Sequence, residues 1–316
     1  MKVIYDSRKD IRLAATGSAS PIIEDASTDS GTGRWTVIKI PTLSFYEYCQ
    51  LLQLDDMPLL PDRLKITDIP KMENAEVADL MARFEPLVKH FNRYLTIGGF
   101  PELALSDDDL YAQRMLREDV VDKVIKRDVL TLFKVRSPLL MEKLFLYLCM
   151  NSTEIFSATT AAKELDNISP NTIESYVDAL VKSNLIYMAY PIAVGSKSVL
   201  KGRPKIYIAD AAIRNAVLMV DDVLSDEREL GFLIETTVYK HLVSFYQGTG
   251  AQLGYYRKAK ENQKEVDAVI ELQQQKILCE VKYKNNSHIP QTDGIVELCN
   301  DPKAGITDAF VITKQL

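Results

Sequence analysis

A chain of 316 residues, 47% hydrophobic and 26% charged, has an ordinary globular composition and the length of two or three domains. Its net charge of −6 excludes a whole-surface attraction to nucleic acid, so any DNA contact must come from a local basic stripe. The longest apolar run, 144–150, falls far short of the roughly 18 residues of a membrane span, and Lys2 and Asp6 leave no room for a signal-peptide core. The sequence therefore predicts a soluble, cytoplasmic chain with no membrane partner.

Other chemistries are excluded by spacing. Cys49, Cys149, Cys279 and Cys299 lie in unrelated segments with no C-x-x-C pair, which predicts reduced core thiols, and His90, His241 and His288 show no metal-ligand spacing. None of the 13 glycines is followed by Lys. A P-loop needs a Gly-rich turn around the phosphates and then a Lys that reaches the terminal ones, so this chain alone is not expected to hydrolyse ATP.

In chain order, residues 11–16 read as a short buried strand ended by Gly17 and a small polar run, and a Ser-, Thr- and Gly-rich loop leads to a second strand at 35–40. Pro41 and Ser44 set the start of a helix over 45–54. From 75 to 95, Val77, Leu80, Phe84, Leu87, Val88, Phe91 and Leu95 form a helical stripe that stops at Gly98-Gly99, and a first domain closes near Leu105. A mixed-charge helical segment, 109–135, predicts a solvated face.

Ser137-Pro138, Ser157 and Ser169-Pro170 then start three helices, followed by strands at 185–190 and 205–209; three helices and a hairpin predict a winged helix. Lys197, Lys201, Arg203 and Lys205 cluster in its wing as the best candidate DNA-binding patch. Against it, the third helix carries Glu174 and Asp178 beside a single Lys182.

The last third holds the candidate chemistry. A helix over 228–247 places Glu235 among Val238, Tyr239 and Leu242, where a carboxylate needs a partner or a metal. Strands at 266–272 and 276–283, joined by Gln273-Gln274-Gln275, put Glu280 and Lys282 on one face. Asp267 joins them only with an even-numbered loop or a bulge. Assembled, Glu235, Asp267 and Glu280 would offer oxygen ligands to Mg²⁺, and Lys282 would orient or deprotonate an attacking water, a set suited to phosphodiester hydrolysis. The same residues also suit a purely structural charge cluster, or a solvated edge hairpin.

Helix Glu, strand Asp, then Glu-x-Lys on the next strand resembles the PD-(D/E)xK nuclease superfamily, from Glu235 to Lys282 and on into a strand at 309–313. Over nearly the whole chain, Thr16-Gly17-Ser18-Ala19-Ser20, Gly33-Arg34, Pro41-Thr42-Leu43-Ser44-Phe45-Tyr46-Glu47-Tyr48 and Gly98-Gly99-Phe100-Pro101-Glu102 look together like prokaryotic AAA-type ATPases with a C-terminal domain of unknown function. The resemblance implies sensor-like roles for Thr16 and Ser18, though a hydroxyl-capped turn explains them equally, and a helical lid around Gly98-Gly99. It also implies an N-terminal truncation that removed the P-loop.

The expected fold is mixed α/β and multidomain. An ATPase core remnant and lid span 1–105, a helical connection 106–136, a winged helix 137–210 and a restriction-endonuclease-like domain 211–316. Mg²⁺ would serve the last, and ATP only a full-length form. DNA, a second copy, or a chain supplying the missing ATPase half at an exposed sheet edge are the expected partners. A non-catalytic DNA- or protein-interaction module on the same folds is the alternative.

Overall fold

Ser44 opens the first described helix by a capping box: its hydroxyl accepts from the Glu47 N–H, and the Glu47 carboxylate accepts from the Ser44 N–H at 2.8 Å. The computed structural model describes residues 7, 8, 10–12, 14, 16, 17, 38–54, 57, 58, 66–130, 133, 135–193, 202–220, 222–258, 264–284 and 288–314. Helix α1 (Phe45–Leu51) buries Tyr48 and Cys49, whereas α2 (Asn74–Phe84) buries nothing and exposes Met81 and Phe84. A 3₁₀ turn (Glu85–Leu87) then leads into α3 (Val88–Ile97), which buries Tyr94, Leu95 and Ile97 and stops at Gly98. The stripe foreseen over 75–95 is thus split, because a turn of three residues rotates the apolar positions out of the 3.6-residue phase.

Short α4 (Pro101–Ala104) and α5 (Asp109–Leu116) follow, and α5 continues as a π-helical segment, Arg117–Val129. Of its described charges, Arg117, Glu118, Lys123 and Lys126 are exposed, with Lys123 paired to Asp119, but Ala112, Leu116, Ile125 and Val129 from this stretch are buried. Helices α6 (Pro138–Met150), α7 (Ala158–Glu164) and α8 (Pro170–Lys182) lie where their Ser-Pro and Ser starts place them. Ser137 and Ser157 cap through their hydroxyls; Ser169 makes no such bond, and Pro170 alone marks the start of α8.

Strands β1 (Ile186–Pro191) and β2 (Lys205–Ile208) pair antiparallel, and Ile155, between α6 and α7, bridges to Lys205. After α9 (Ala211–Leu218) and the long α10 (Glu227–Tyr246) come β3 (Gln252–Arg257), β4 (Glu265–Leu272), β5 (Gln275–Lys282), α11 (Gly294–Asn300) and β6 (Asp308–Thr313). All six strands join one open mixed sheet, ordered β2-β1-β3-β4-β5-β6, with β1/β3 and β5/β6 parallel. The fold is mixed α/β, and one continuous apolar core runs from Tyr48 through Phe145 and Leu180 to Ala216.

Two expected strands differ. Residues 11, 12, 14 and 16 are exposed and irregular, and so are 38–40, with Ile40 88% exposed; 35–37 lie outside the described residues. An apolar run becomes a strand only when a neighbour takes its backbone N–H and C=O groups, and no described strand pairs with either run. No described helix is long and apolar enough to cross a membrane.

What fixes α10 against the rest is a buried ionic joint. Asp210, at the start of α9, accepts from Lys240 Nζ at 2.7 Å, Thr42 Oγ1 at 2.7 Å and the Gly99 N–H at 3.1 Å. Lys240 Nζ also donates to the Leu43 carbonyl at 2.8 Å and to the Tyr94 hydroxyl at 2.7 Å. Burial alone would raise the Asp210 carboxyl, but Lys240, Thr42 and Gly99 hold it below its ordinary value. The glycine pair is a steric requirement: a Cβ on Gly98 (φ +78°) would lie 2.4 Å from Asp210 Oδ1, and one on Gly99 2.2 Å from the Leu43 oxygen. Next to Lys240, His241 Nε2 accepts from the Phe45 N–H at 2.8 Å, so two consecutive residues of α10 hold Leu43 and the first residue of α1.

Candidate functional site

The register of β4 and β5 answers the question the sequence left open. Two residues, Gln273 and Gln274, make the turn, with Gln273 at φ +54°, and Leu272 pairs with Gln275 and Ala268 with Cys279. The even loop sets Asp267 opposite Glu280, on the face that also carries Lys282. Asp267 Oδ2 accepts from the Val281 N–H at 2.9 Å, and the Asp267 N–H donates to Glu280 Oε2 at 3.3 Å. Glu280 Oε1 is ion-paired with Lys282, whose ammonium also lies 3.7 Å from Asp293 at the start of α11.

Glu235 reaches the same place from α10 and is met there by β2. Its Oε1 accepts from Lys205 Nζ at 3.2 Å and from the Tyr207 hydroxyl at 2.9 Å. Lys205 Nζ also donates to Asp267 Oδ1 at 3.3 Å and pairs with Glu265. Lys205 retains only 3% of its surface, and the Tyr207 ring stacks on Tyr239 of α10 at 4.0 Å and 6°. Glu235 and Asp267 therefore meet at Lys205, a lysine expected in a DNA-binding wing, and Glu280, with Lys282, joins them through the Asp267 N–H.

Electrostatics follow from crowding carboxylates in a half-dry place. Burial, then the neighbouring Asp267, push both Glu235 and Glu280 up to about 7. For Lys205, burial would lower the ammonium, but Glu235, Asp267 and Glu265 together raise it. Lys282 is likewise raised against its own burial by Glu280 and Asp293. In this arrangement the Lys282 ammonium is a hydrogen-bond donor to Glu280.

The donor set does not fit Mg²⁺. That ion needs near-octahedral oxygens at about 2.0–2.1 Å with several waters. Here Lys205 Nζ stands between Glu235 and Asp267, and Glu280 is turned to Lys282 and the Asp267 N–H. Among the described residues no three Asp, Glu, His or Cys side chains are gathered for one metal ion. Two cavities, of about 180 and 820 Å³, lie elsewhere on the sheet and helices, and none of Glu235, Asp267, Glu280 or Lys282 lines either.

The remaining candidates are scattered. Lys197, Lys201 and Ser18 lie outside the described residues; Thr16 is exposed in irregular chain, not at a strand end. Arg203 is exposed, whereas Lys205 points inward and is no part of a solvent-facing patch. On α8, Lys182 is paired with Asp178 at 3.0 Å. Sequence reasoning passed over Tyr207, Glu265 and Asp293. Period two in Lys205-Ile206-Tyr207-Ile208 could have found the first, since Ile206 and Ile208 face the helical core and leave Lys205 and Tyr207 for the other side.

Two family profiles match the chain: a domain of unknown function (DUF8612) over residues 88–224, and a second domain of unknown function (DUF4143) over 230–316. The matches meet at the start of α10. An uncharacterized protein of Haemophilus influenzae is 21% identical over 295 residues, covering 92% of this chain and 64% of that protein. Two uncharacterized proteins of Methanocaldococcus jannaschii are 27% and 24% identical, over 82% and 72% of this chain and 53% and 46% of their own lengths. The chain spans about half to two thirds of the length of these relatives. No solved structure matches it significantly.

Proposed function

We propose that this chain is the downstream portion of an AAA-type ATP-binding protein, in which a winged-helix segment and a nuclease-like α/β module work by binding a partner and not by cutting DNA. The order of Thr16-Gly17-Ser18, Pro41 to Tyr48 and Gly98 to Glu102 supports the first part, with nucleotide hydrolysis left to a full-length form or a chain that supplies a P-loop. The order Glu235, Asp267, Glu280-x-Lys282 on helix, strand and neighbouring strand supports the nuclease-like module.

One observation carries the non-catalytic reading: the Lys205 ammonium, 3.2 and 3.3 Å from Glu235 and Asp267, sits among the carboxylates that a nuclease would turn toward a metal. The partner we assign is a protein. Of the described wing residues Arg203 is exposed but Lys205 is buried, and the third helix presents Glu174 and Asp178 beside Lys182, so phosphate would meet little net positive charge on that helix. A second reading, a Mg²⁺-dependent deoxyribonuclease, is favoured by the convergence of Glu235, Asp267, Glu280 and Lys282.

Incubation with linear and branched DNA in Mg²⁺ or Mn²⁺ separates the two. The expected result is no cleavage above background by the wild type. Metal-dependent cleavage that disappears in both Asp267→Ala and Lys282→Ala replaces the binding reading by the nuclease one.

A further inference from the structure

The cluster has a composition that its fold alone does not require. Four carboxylates, Glu235, Glu265, Asp267 and Glu280, converge from α10, β4 and β5, and Asp293 adds a fifth at the rim. Against them stand two ammonium groups that differ in origin and depth. Lys282 belongs to the same strand as Glu280 and keeps a third of its side chain exposed. Lys205 comes from β2, at the far edge of the sheet, and its side chain is 4% exposed.

The route of Lys205 into the cluster is built. The bridge from Ile155 and the pairing with Ala189 fix its backbone, Tyr255 lies under the ammonium at 5.7 Å, and Tyr207, two residues on, donates to the same Glu235 oxygen. A buried ammonium contacting Glu235, Glu265 and Asp267 at once is in the position and has the sign of a bound cation.

We infer that Lys205 is the resident cation of this cluster: its ammonium holds the place that a divalent ion would take, and the carboxylates accept a metal only when that ammonium is removed. The inference rests on the nuclease-like reading of the module and adds the element that keeps it closed. Chemically, one tethered positive charge with three donors stands in for a hard cation, giving Glu235, Glu265 and Asp267 a hydrogen-bond donor each and offsetting part of their charge without offering a coordination position to water or phosphate.

Mn²⁺ is the probe, titrated by calorimetry and followed by thermal melting of the full chain. The wild type is expected to show no stoichiometric binding and no shift in melting temperature at millimolar Mn²⁺. Lys205→Ala and Lys205→Met, the second keeping most of the aliphatic stem, are expected to melt lower and to bind one Mn²⁺ at least tenfold more tightly than the wild type. Adding Mn²⁺ should raise their melting temperatures, and Asp267→Asn in the same chains should abolish that rescue. Stoichiometric Mn²⁺ binding by the wild type, lost in Asp267→Asn, overturns the inference. So does a Lys205 variant that gains no affinity, or one that is unfolded and stays so with Mn²⁺. DNA cleavage by the wild type defeats the binding reading itself, whereas an inert wild type with inert Lys205 variants defeats only the role of Lys205.

Discussion

Two buried lysines, Lys240 of α10 and Lys205 of β2, both meet carboxylates, and they are solved differently. Lys240 has one carboxylate, Asp210, and two neutral acceptors, the Leu43 carbonyl and the Tyr94 hydroxyl; Asp210 in turn is filled by Thr42, Gly99 and the Ala212 N–H. Charge and hydrogen bonds close together, with 2% and 3% of the two side chains exposed. Lys205 faces three carboxylates with a fourth behind them, and burial together with the neighbouring Asp267 pushes two glutamates up to about 7. A balanced buried pair is a structural joint, whereas an unbalanced one keeps the capacity to exchange a cation or a proton.

The largest effect is expected where the balance is complete. Lys240→Met leaves Asp210 charged and buried, at a cost of about 3–5 kcal/mol in denaturant unfolding. Pairing it with Asp210→Asn should recover part of that loss, because the uncompensated charge is gone. Equal losses in the single and double variants would show that packing around the Lys240 stem dominates, and that the joint is not ionic in effect. Gly99→Ala comes next: its Cβ has to displace the Leu43 oxygen or the Lys240 ammonium, which predicts a loss of about 2–3 kcal/mol by the same measurement. A neutral result there would mean that the Leu43 to Gly99 contact, 2.7 Å between N–H and carbonyl, yields easily.

Much of this molecule was legible in its residues because local rules suffice where a cap, a period or a turn acts alone. Ser44 with Glu47, Ser137-Pro138 and the stripe Met141, Leu144, Phe145, Leu148 read directly into helices, and two-residue alternation placed Glu280 with Lys282. The convergence of Glu235, Asp267, Glu280 and Lys282 followed from a loop parity that the sequence posed and the register resolved. The direction of Lys205 was hidden, since a lysine in a run with Lys201 and Arg203 looks like surface, and only the joining of β1 to β3 brings β2 over the carboxylates. Residues 11–16 were misread for a related reason: apolarity marks a strand only if a partner strand exists, and partnership is a property of the whole fold.

The unbalanced cluster should also make stability depend on pH. Glu235 and Glu280 lie at about 7 in the folded chain against an ordinary 4.5, so the folded state binds more protons between those values. Their contribution is fully present below about 4.5 and is lost as the pH rises through about 7. Stability should therefore fall by about 1–2 kcal/mol between pH 5 and pH 8 relative to Glu235→Gln, which cannot titrate there. His241, lowered by burial, acts in the opposite sense below its ordinary 6.5, and the difference between wild type and variant cancels it. Superimposable pH profiles for the two chains would mean that Lys205 already balances the cluster.

Tyr207→Phe is the smallest and the most local test of the same contrast. It removes one hydroxyl that donates to Glu235 Oε1 at 2.9 Å while leaving the ring stacked on Tyr239. A hydrogen bond to a charged acceptor contributes about 1.5–3 kcal/mol and one to a neutral acceptor about 0.5–1.5. Near pH 7 Glu235 is divided between the two forms, so the expected loss is about 1 kcal/mol there and larger at pH 9, where the carboxylate is fully charged. The donated bond favours the charged form, so its removal should also move the Glu235 titration, followed by carboxyl carbon NMR, to higher pH. A loss that is the same at pH 6 and pH 9, with an unmoved titration, would place the hydroxyl's bond on the Asp267 carbonyl, 3.4 Å away, instead of on the glutamate.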